Sequence, residues 1–161
     1  MKLIPGGVCA AKGFKANGIH CGIRKNRTKR DLALILSEVP ASAAAVYTTN
    51  LVKGAPIFVN KKHLENGVAQ AVICNSGNAN TCNANGIEIA EKMCELLGNE
   101  LNISPLDVVV ASTGVIGQPL NIEPMAKGIP VLKKQLSREG SKNAAEGIMT
   151  TDTRLKELSI S

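Results

Sequence analysis

Aromatic side chains are nearly absent from this sequence. The 161 residues include no tryptophan, one tyrosine and two phenylalanines, and Phe14, Tyr47 and Phe58 lie in separate segments. Modules that bind nucleic acids by base stacking present several aromatic side chains on one surface, so the chain does not fit that class. Its core must be built from Ala, Val, Ile and Leu.

A disulfide framework is also absent from the pattern of cysteines. Their number is odd, their spacing is wide and no C-x-x-C pair occurs, which is typical of reduced thiols. The first residues resemble no secretory signal, so we expect a cytoplasmic protein. Two distant histidines, His20 and His63, predict no zinc site. No apolar run is long enough to span a membrane. The cysteines are Cys9, Cys21, Cys74, Cys82 and Cys94.

Common catalytic and nucleotide-binding motifs are missing as well. The sequence contains no G-x-G-x-x-G or Walker A segment, and no local Ser-His-Asp, Cys-His or paired-carboxylate set. Cys74 follows an apolar strand and is either a nucleophile or a buried small side chain, and free cysteines are usually buried. We therefore expect no bound cofactor and no metal.

Positive charge is present and unevenly placed. The net charge is +6, and five basic residues form one cluster: Arg24, Lys25, Arg27, Lys29 and Arg30. This cluster is either a solvated loop or a patch that binds nucleic acid or an acidic protein. Carboxylate-bearing metabolites are a third class of acidic partner, and they need only a few basic groups.

The length suits a single domain over residues 1–161. The first half is rich in strand patterns and the second half alternates strand and helix, which predicts an α/β (α+β) fold. Predicted strands cover residues 13–22, 31–38, 43–49, 56–59, 68–74 and 108–111. Predicted helices cover residues 87–98, 121–138 and 141–149, and Pro130 should break the second near Gly128.

Three clusters of small polar residues each follow an apolar segment, at residues 75–80, 112–117 and 150–153. Asn amides, Thr hydroxyls and backbone N–H groups can stabilise an oxyanion. Singly, each cluster has the composition of a turn or cap. If the strands that end at Asn75 and Ser112 are neighbours, their loops converge on one composite site.

Several of these segments resemble a known family in sequence and in order. They are KGF at residues 12–14, DLALI at 31–35, VYTTN at 46–50, NSGNAN at 75–80, STGVIG at 112–117 and AAEGIMTTDT at 144–153. With them the chain resembles the α chain of ornithine acetyltransferase, also called glutamate N-acetyltransferase, of arginine biosynthesis. The matching segments cover nearly the whole sequence.

The resemblance implies an acyltransferase that moves an acetyl group from N-acetylornithine to glutamate, and some members also accept acetyl-coenzyme A. A precursor cuts itself into α and β chains, and the N-terminal threonine of β becomes acetylated. The fold implied is a layered αββα N-terminal-nucleophile-like sandwich, completed by the β chain, with assembly to an α2β2 heterotetramer. Thr113 and Gly114 would form the oxyanion hole, and Thr150, or its neighbour Thr151, would bind substrate.

By this resemblance, the segment with the Ala-Thr cleavage point follows residue 161, so the nucleophile is expected outside this chain. Two other functions remain as alternatives. One is a basic binding module for nucleic acid or an acidic protein, and the other is a related N-terminal-nucleophile aminopeptidase, which the specific motifs disfavour.

Overall fold

A computed structural model describes residues 1–161. Its core element is one four-stranded sheet in the order β1-β2-β3-β4, in which β1, β2 and β3 are antiparallel and β3 and β4 are parallel. The strands are β1 Phe14–Ile19, β2 Leu32–Ser42, β3 Val68–Asn78 and β4 Val108–Val115. The helices are α1 Ala55–His63, α2 Gly86–Leu101, α3 Glu123–Lys134 and α4 Ser141–Gly147. The predicted α+β class is confirmed.

One face of the sheet carries the main core. Alternate residues of the strands point to this face, and they pack against the apolar stripes of α2 and α3. Each large side chain buried in this way stabilises the fold by about 1.5–3 kcal/mol. The fully buried members include Leu32, Leu34, Ile73, Val108, Val110, Met93, Leu97, Met125, Ile129 and Leu132.

The opposite face, which we call the open face, has a much thinner cover. Its small core contains Cys9, Ala16, Ala33 and Ala144, so α4 lies close to β1 and β2. Beyond α4 an apolar groove of about 400 Å³ remains, and its floor includes Ile35, Val72, Cys74 and Ala111.

Both edges of the sheet are closed by side chains or by a neighbouring segment. The Asn60 amide of α1 donates to the Val110 carbonyl at 2.8 Å and accepts from the Val110 N–H at 2.9 Å, so it pairs with β4 as a strand would. The His63 ring lies 2.9 Å from the Val108 carbonyl. At the other edge, Ala16 and Ser137 exchange two backbone hydrogen bonds. Strand addition is blocked at these positions.

Four predicted elements differ from the structure. Residues 56–59 form part of α1 rather than a strand, because Pro56 occupies the first turn, where its missing N–H costs nothing. Residues 43–49 form no strand, since β2 pairs with β1 and β3 instead. Helix α3 runs through Pro130 without the predicted break near Gly128. Helix α2 passes Gly98 and ends before Asn102, which takes the left-handed conformation.

All five cysteines are free thiols. Burial raises the pKa of Cys74 and of Cys94 to about 12. Cys74 is therefore a protonated thiol at neutral pH, which disfavours the interpretation as a nucleophile. It is a half-buried small side chain in the floor of the groove. None of the helices combines the length and apolar character needed to cross a membrane.

Candidate active site

The predicted convergence of the polar loops after Asn75 and Ser112 is confirmed. Strands β3 and β4 are parallel neighbours, and their last residues pair as Ser76 with Thr113 and Gly77 with Gly114. Because both strands run in the same direction, their C-terminal ends meet at one edge of the sheet. The polar residues that follow the two apolar runs therefore share one location.

Two facing glycines allow the strands to approach closely there. Gly77 and Gly114 have φ values of +113° and +135°, which side chains rarely adopt. A Cβ on Gly114 would lie 2.4 Å from the carbonyl carbon of Gly77. The site thus exposes backbone where other residues would present side chains.

Thr113 points to the open face of the sheet. It lies two residues after Ala111 on β4, so the two side chains share a face. The Thr113 hydroxyl makes no hydrogen bond within the chain, whereas the neighbouring Ser112 hydroxyl donates to the Asn75 side chain at 2.6 Å. Thr113 is thus free to bind a ligand, while Ser112 belongs to the interior.

The asparagine-rich segment has a structural role. Asn75 donates to the Asn78 carbonyl at 3.0 Å, Asn78 to the Gln118 carbonyl at 2.9 Å and Asn80 to the Gly86 carbonyl at 2.8 Å. All three asparagines are buried. Their amides fix the end of β3, connect it to the segment after β4 and attach it to the start of α2. Only Gly77 of this segment lines the site.

The third polar cluster, residues 150–153, follows α4 in the sequence. The Ser76 hydroxyl donates to the Gly147 carbonyl at 2.7 Å, which ties the end of α4 to β3. Beyond it, the Thr150 N–H donates to the Asp152 carboxylate at 3.1 Å. A hydrogen bond from Lys156 lowers the pKa of Asp152, so this turn is held by an ionised carboxylate. The Thr150 and Thr151 hydroxyls make no hydrogen bonds within the chain.

These parts enclose one open pocket of about 740 Å³. It brings together the predicted residues Thr113, Gly114, Thr150 and Thr151. Gly77 and Val115 also line it, and both lie within the polar clusters predicted at residues 75–80 and 112–117. Sequence reasoning did not place Ile23, Asn26 or Gln118 at this site, nor did it connect the basic residues Arg24 and Lys25 with it. The sequence did offer one signal for the two basic residues. The basic cluster comes just before β2, and the start of β2 pairs with the end of β3.

The basic cluster is partly used inside the fold. A guanidinium N–H of Arg24 donates to the Met149 carbonyl, and Arg30 forms an ion pair with Glu146. Arg27 and Lys29 are exposed. This division favours neither a fully solvated loop nor a continuous nucleic-acid patch. No three His, Cys, Asp or Glu side chains come together as a metal-ligand set.

Comparisons with known proteins agree with this architecture. Proteins named arginine biosynthesis bifunctional protein ArgJ are similar over almost all of this chain. The one from Caldanaerobacter subterraneus subsp. tengcongensis is 47% identical over 161 residues, which are 99% of this chain and 40% of that protein. The one from Symbiobacterium thermophilum is 47% identical over 159 residues, again 40% of its length. The chain thus spans about two fifths of these curated relatives.

Two crystal structures have the same fold. The ArgJ protein from Bacillus halodurans superposes with a TM-score of 0.86 at 41% identity, over 92% of this chain and 78% of that one. Ornithine acetyltransferase from Mycobacterium tuberculosis, complexed with ornithine, gives a TM-score of 0.89 at 34% identity, over 95% of this chain and 84% of that one.

The fold of this chain is therefore that of the ArgJ structures, the N-terminal-nucleophile fold that the motifs implied. The ArgJ family model matches residues 15–161. This chain belongs to the ArgJ family.

Proposed function

We propose that this chain is the α chain of a self-processed acyltransferase, glutamate N-acetyltransferase, acting in arginine biosynthesis. It moves an acetyl group from N2-acetyl-L-ornithine to L-glutamate through an acetyl-threonine on the β chain. The observation that carries the proposal is the pocket in which Thr113 and Gly114 face Thr150 and Thr151, with three threonine hydroxyls free of partners within the chain. The names of the ArgJ relatives and of the ornithine-bound structure support it.

The pocket fits the electrostatic part of acyl transfer. The β-chain threonine oxygen attacks the acetyl carbonyl and loses its proton to its own α-amine, while the carbonyl electron pair moves onto oxygen. Thr113 and Gly114 stabilise this oxyanion by hydrogen bonding. When the tetrahedral intermediate collapses, the electron pair re-forms the carbonyl and ornithine leaves with the proton held by the α-amine. An acetyl ester remains on the β-chain threonine. The glutamate amine then attacks the ester by the same route.

Thr150 binds substrate in this scheme, and Thr151 is the neighbouring alternative. Both residues line the same pocket as Thr113. The Asp152 carboxylate holds the backbone at Thr150, and the Thr150 hydroxyl can act both as a donor and as an acceptor. The reaction needs no bound cofactor or metal, and acetyl-coenzyme A is a second donor to be tested.

The open face is where the β chain packs. Ala111 in the apolar groove and Thr113 in the pocket lie on the same face of β4, so a partner that covers the groove also reaches the oxyanion site. Both sheet edges are closed, which directs the partner to the face. Pairs of α and β chains then assemble into an α2β2 heterotetramer, in the cytoplasm.

The test is an assay of the full-length protein. Ornithine release is measured with N-acetylornithine plus glutamate. Release of free coenzyme A is measured in a separate reaction with acetyl-coenzyme A plus glutamate. Processing into two chains is followed on a denaturing gel. A fully processed protein that releases no ornithine would contradict the proposed function, and failure with acetyl-coenzyme A alone would remove only that donor.

A further inference from the structure

Arg24 occupies a position in the pocket that the proposed chemistry does not explain. Its backbone N–H donates to the Asp31 carboxylate at 2.9 Å, and its guanidinium donates to the Met149 carbonyl. A Cβ on Gly77 would lie 2.8 Å from the Arg24 Cγ, so the arginine stem lies directly on the end of β3. The side chain therefore spans the pocket from β3 to the residue before Thr150.

The guanidinium is incompletely satisfied. Its Nε is buried and has no hydrogen-bond partner within the chain. A buried donor without an acceptor is unfavourable, and native structures usually supply the partner. Arg24 as a whole is half-buried and lines the pocket, so an acceptor on a ligand can complete the hydrogen bonding of this side chain.

The charge around the pocket favours an anionic acceptor. Its lining includes the cations Arg24 and Lys25 and no Asp or Glu. Asp31 is completely buried, and its carboxylate accepts hydrogen bonds from the N–H groups of Cys21 at 2.6 Å and of Arg24 at 2.9 Å. The His20 ring lies 3.0 Å from the same carboxylate. Asp31 thus fixes the backbone of the basic loop and leaves the guanidinium charge available to the pocket.

We propose that Arg24 binds the α-carboxylate of the amino-acid substrate, with Lys25 adding positive charge at the rim. A carboxylate is the anion whose geometry matches the guanidinium fork. The inference rests on the proposed acyltransferase function and assigns this chain a substrate-recognition residue separate from the oxyanion donors. Binding of the carboxylate at Arg24 leaves the Thr113 hydroxyl for the acetyl oxygen.

If Arg24 has only a structural role, a different result is expected. If Arg24 only holds the Met149 carbonyl, its loss displaces Thr150 for every ligand, whatever charge that ligand carries. Substrates with and without the carboxylate distinguish the two roles. N-acetylornithine and its α-carboxamide differ at that group alone.

The experiment compares Arg24→Met, Arg24→Lys and the control Arg27→Met in the full-length, processed protein. Arg27 is an exposed arginine of the same loop and does not line the pocket. Arg24→Met should raise the KM for N-acetylornithine about 10- to 100-fold, the usual loss for a hydrogen bond to a charged group. It should leave the KM for the carboxamide within about threefold. Arg24→Lys should give an intermediate KM, and Arg27→Met the wild-type value.

Equal increases in KM for both substrates, or a fall in kcat with unchanged KM, would overturn the proposal and leave Arg24 a positioning residue. If Arg24→Met fails to fold or to process, the comparison is made with Arg24→Lys and with the wild type. The wild type must then prefer the carboxylate over the carboxamide at least about tenfold. A wild type without that preference also overturns the proposal, and a wild type inactive on every substrate instead contradicts the acyltransferase function.

Discussion

The Thr113 hydroxyl lies at the meeting point of the strand ends without a partner in the chain, so its removal should affect the reaction more than the fold. We predict that Thr113→Ala lowers kcat by about 10²- to 10³-fold, roughly 3–4 kcal/mol of transition-state stabilisation, with a small change in KM. Steady-state assay of ornithine release measures both parameters. Thr153→Ala is the control, because Thr153 is exposed and does not line the pocket.

Self-cleavage can depend on the same region, so the variants are compared only after processing is complete on a gel. Near-wild-type turnover by fully processed Thr113→Ala would show that the oxyanion role is misassigned.

Buried thiols make the fold sensitive to high pH. Burial raises the pKa of Cys94 from 9.0 to about 12, so the folded chain keeps its proton where the unfolded chain has lost it. This stabilisation is complete below about pH 9 and declines as the pH rises toward 12. At about pH 10.5, relative to pH 8, we predict a loss of about 2 kcal/mol from this group.

Denaturant unfolding of the wild type and of Cys94→Ala at the two pH values measures that loss as a difference in pH dependence. The exposed Cys82 provides the control, Cys82→Ala, which should keep the wild-type pH dependence. An unchanged pH dependence in Cys94→Ala would contradict the assignment.

At the scale of secondary-structure elements, the close approach of β3 and β4 depends on Gly114. Gly114→Ala places a Cβ against the Gly77 backbone, so we predict that the end of β4 separates from β3 and that processing and activity are lost. Gly117 gives a matched comparison, because it also has positive φ, +75°, but nothing within 4 Å of a Cβ. Gly117→Ala should cost only about 1–2 kcal/mol.

Unfolding curves and the extent of processing are measured for both glycine variants. If Gly114→Ala behaves like Gly117→Ala, backbone conformation alone explains the glycine and the close contact does not matter.

The sequence predicts an element correctly where its apolar periodicity matches the way it packs. It fails where contacts with distant parts of the chain decide the local structure. The runs at residues 68–74 and 108–111 are strands because their apolar residues fill a sheet covered by helices. The run from Pro56 to Val59 contains strand-forming residues, yet it begins a helix whose Asn60 and His63 contact the edge of β4. Pro130 is tolerated within α3 because Ile129 and Leu132 are buried in the core.

The candidate site shows the same division. Thr113, Gly114 and Thr150 could be proposed for the site from the sequence because local motifs carry them. Arg24 could not, since its role depends on Asp31, Gly77 and Met149, which the fold brings together from distant parts of the sequence.

Across the whole molecule, one surface combines what a partner chain requires. Helices cover one face of the sheet and both edges are closed, whereas the open face keeps an apolar groove beside the pocket. Exposed apolar surface of this kind typically marks an interface. The chain spans about two fifths of the length of its curated relatives.

A charge on this face should therefore prevent association without disturbing the opposite side. We predict that Val72→Lys, in the groove of the open face, abolishes co-purification of this chain with a co-expressed β chain, the proposed partner. The reason is that covering the groove would then bury an unpaired ammonium group, which is strongly unfavourable.

Val131→Lys is the matched control, because Val131 is an exposed valine on α3, at the opposite side of the sheet. Size-exclusion chromatography of the co-expressed chains measures association. If Val72→Lys still co-elutes with the β chain while Val131→Lys does not, the partner covers the helical side, and the nucleophile must reach Thr113 from another direction.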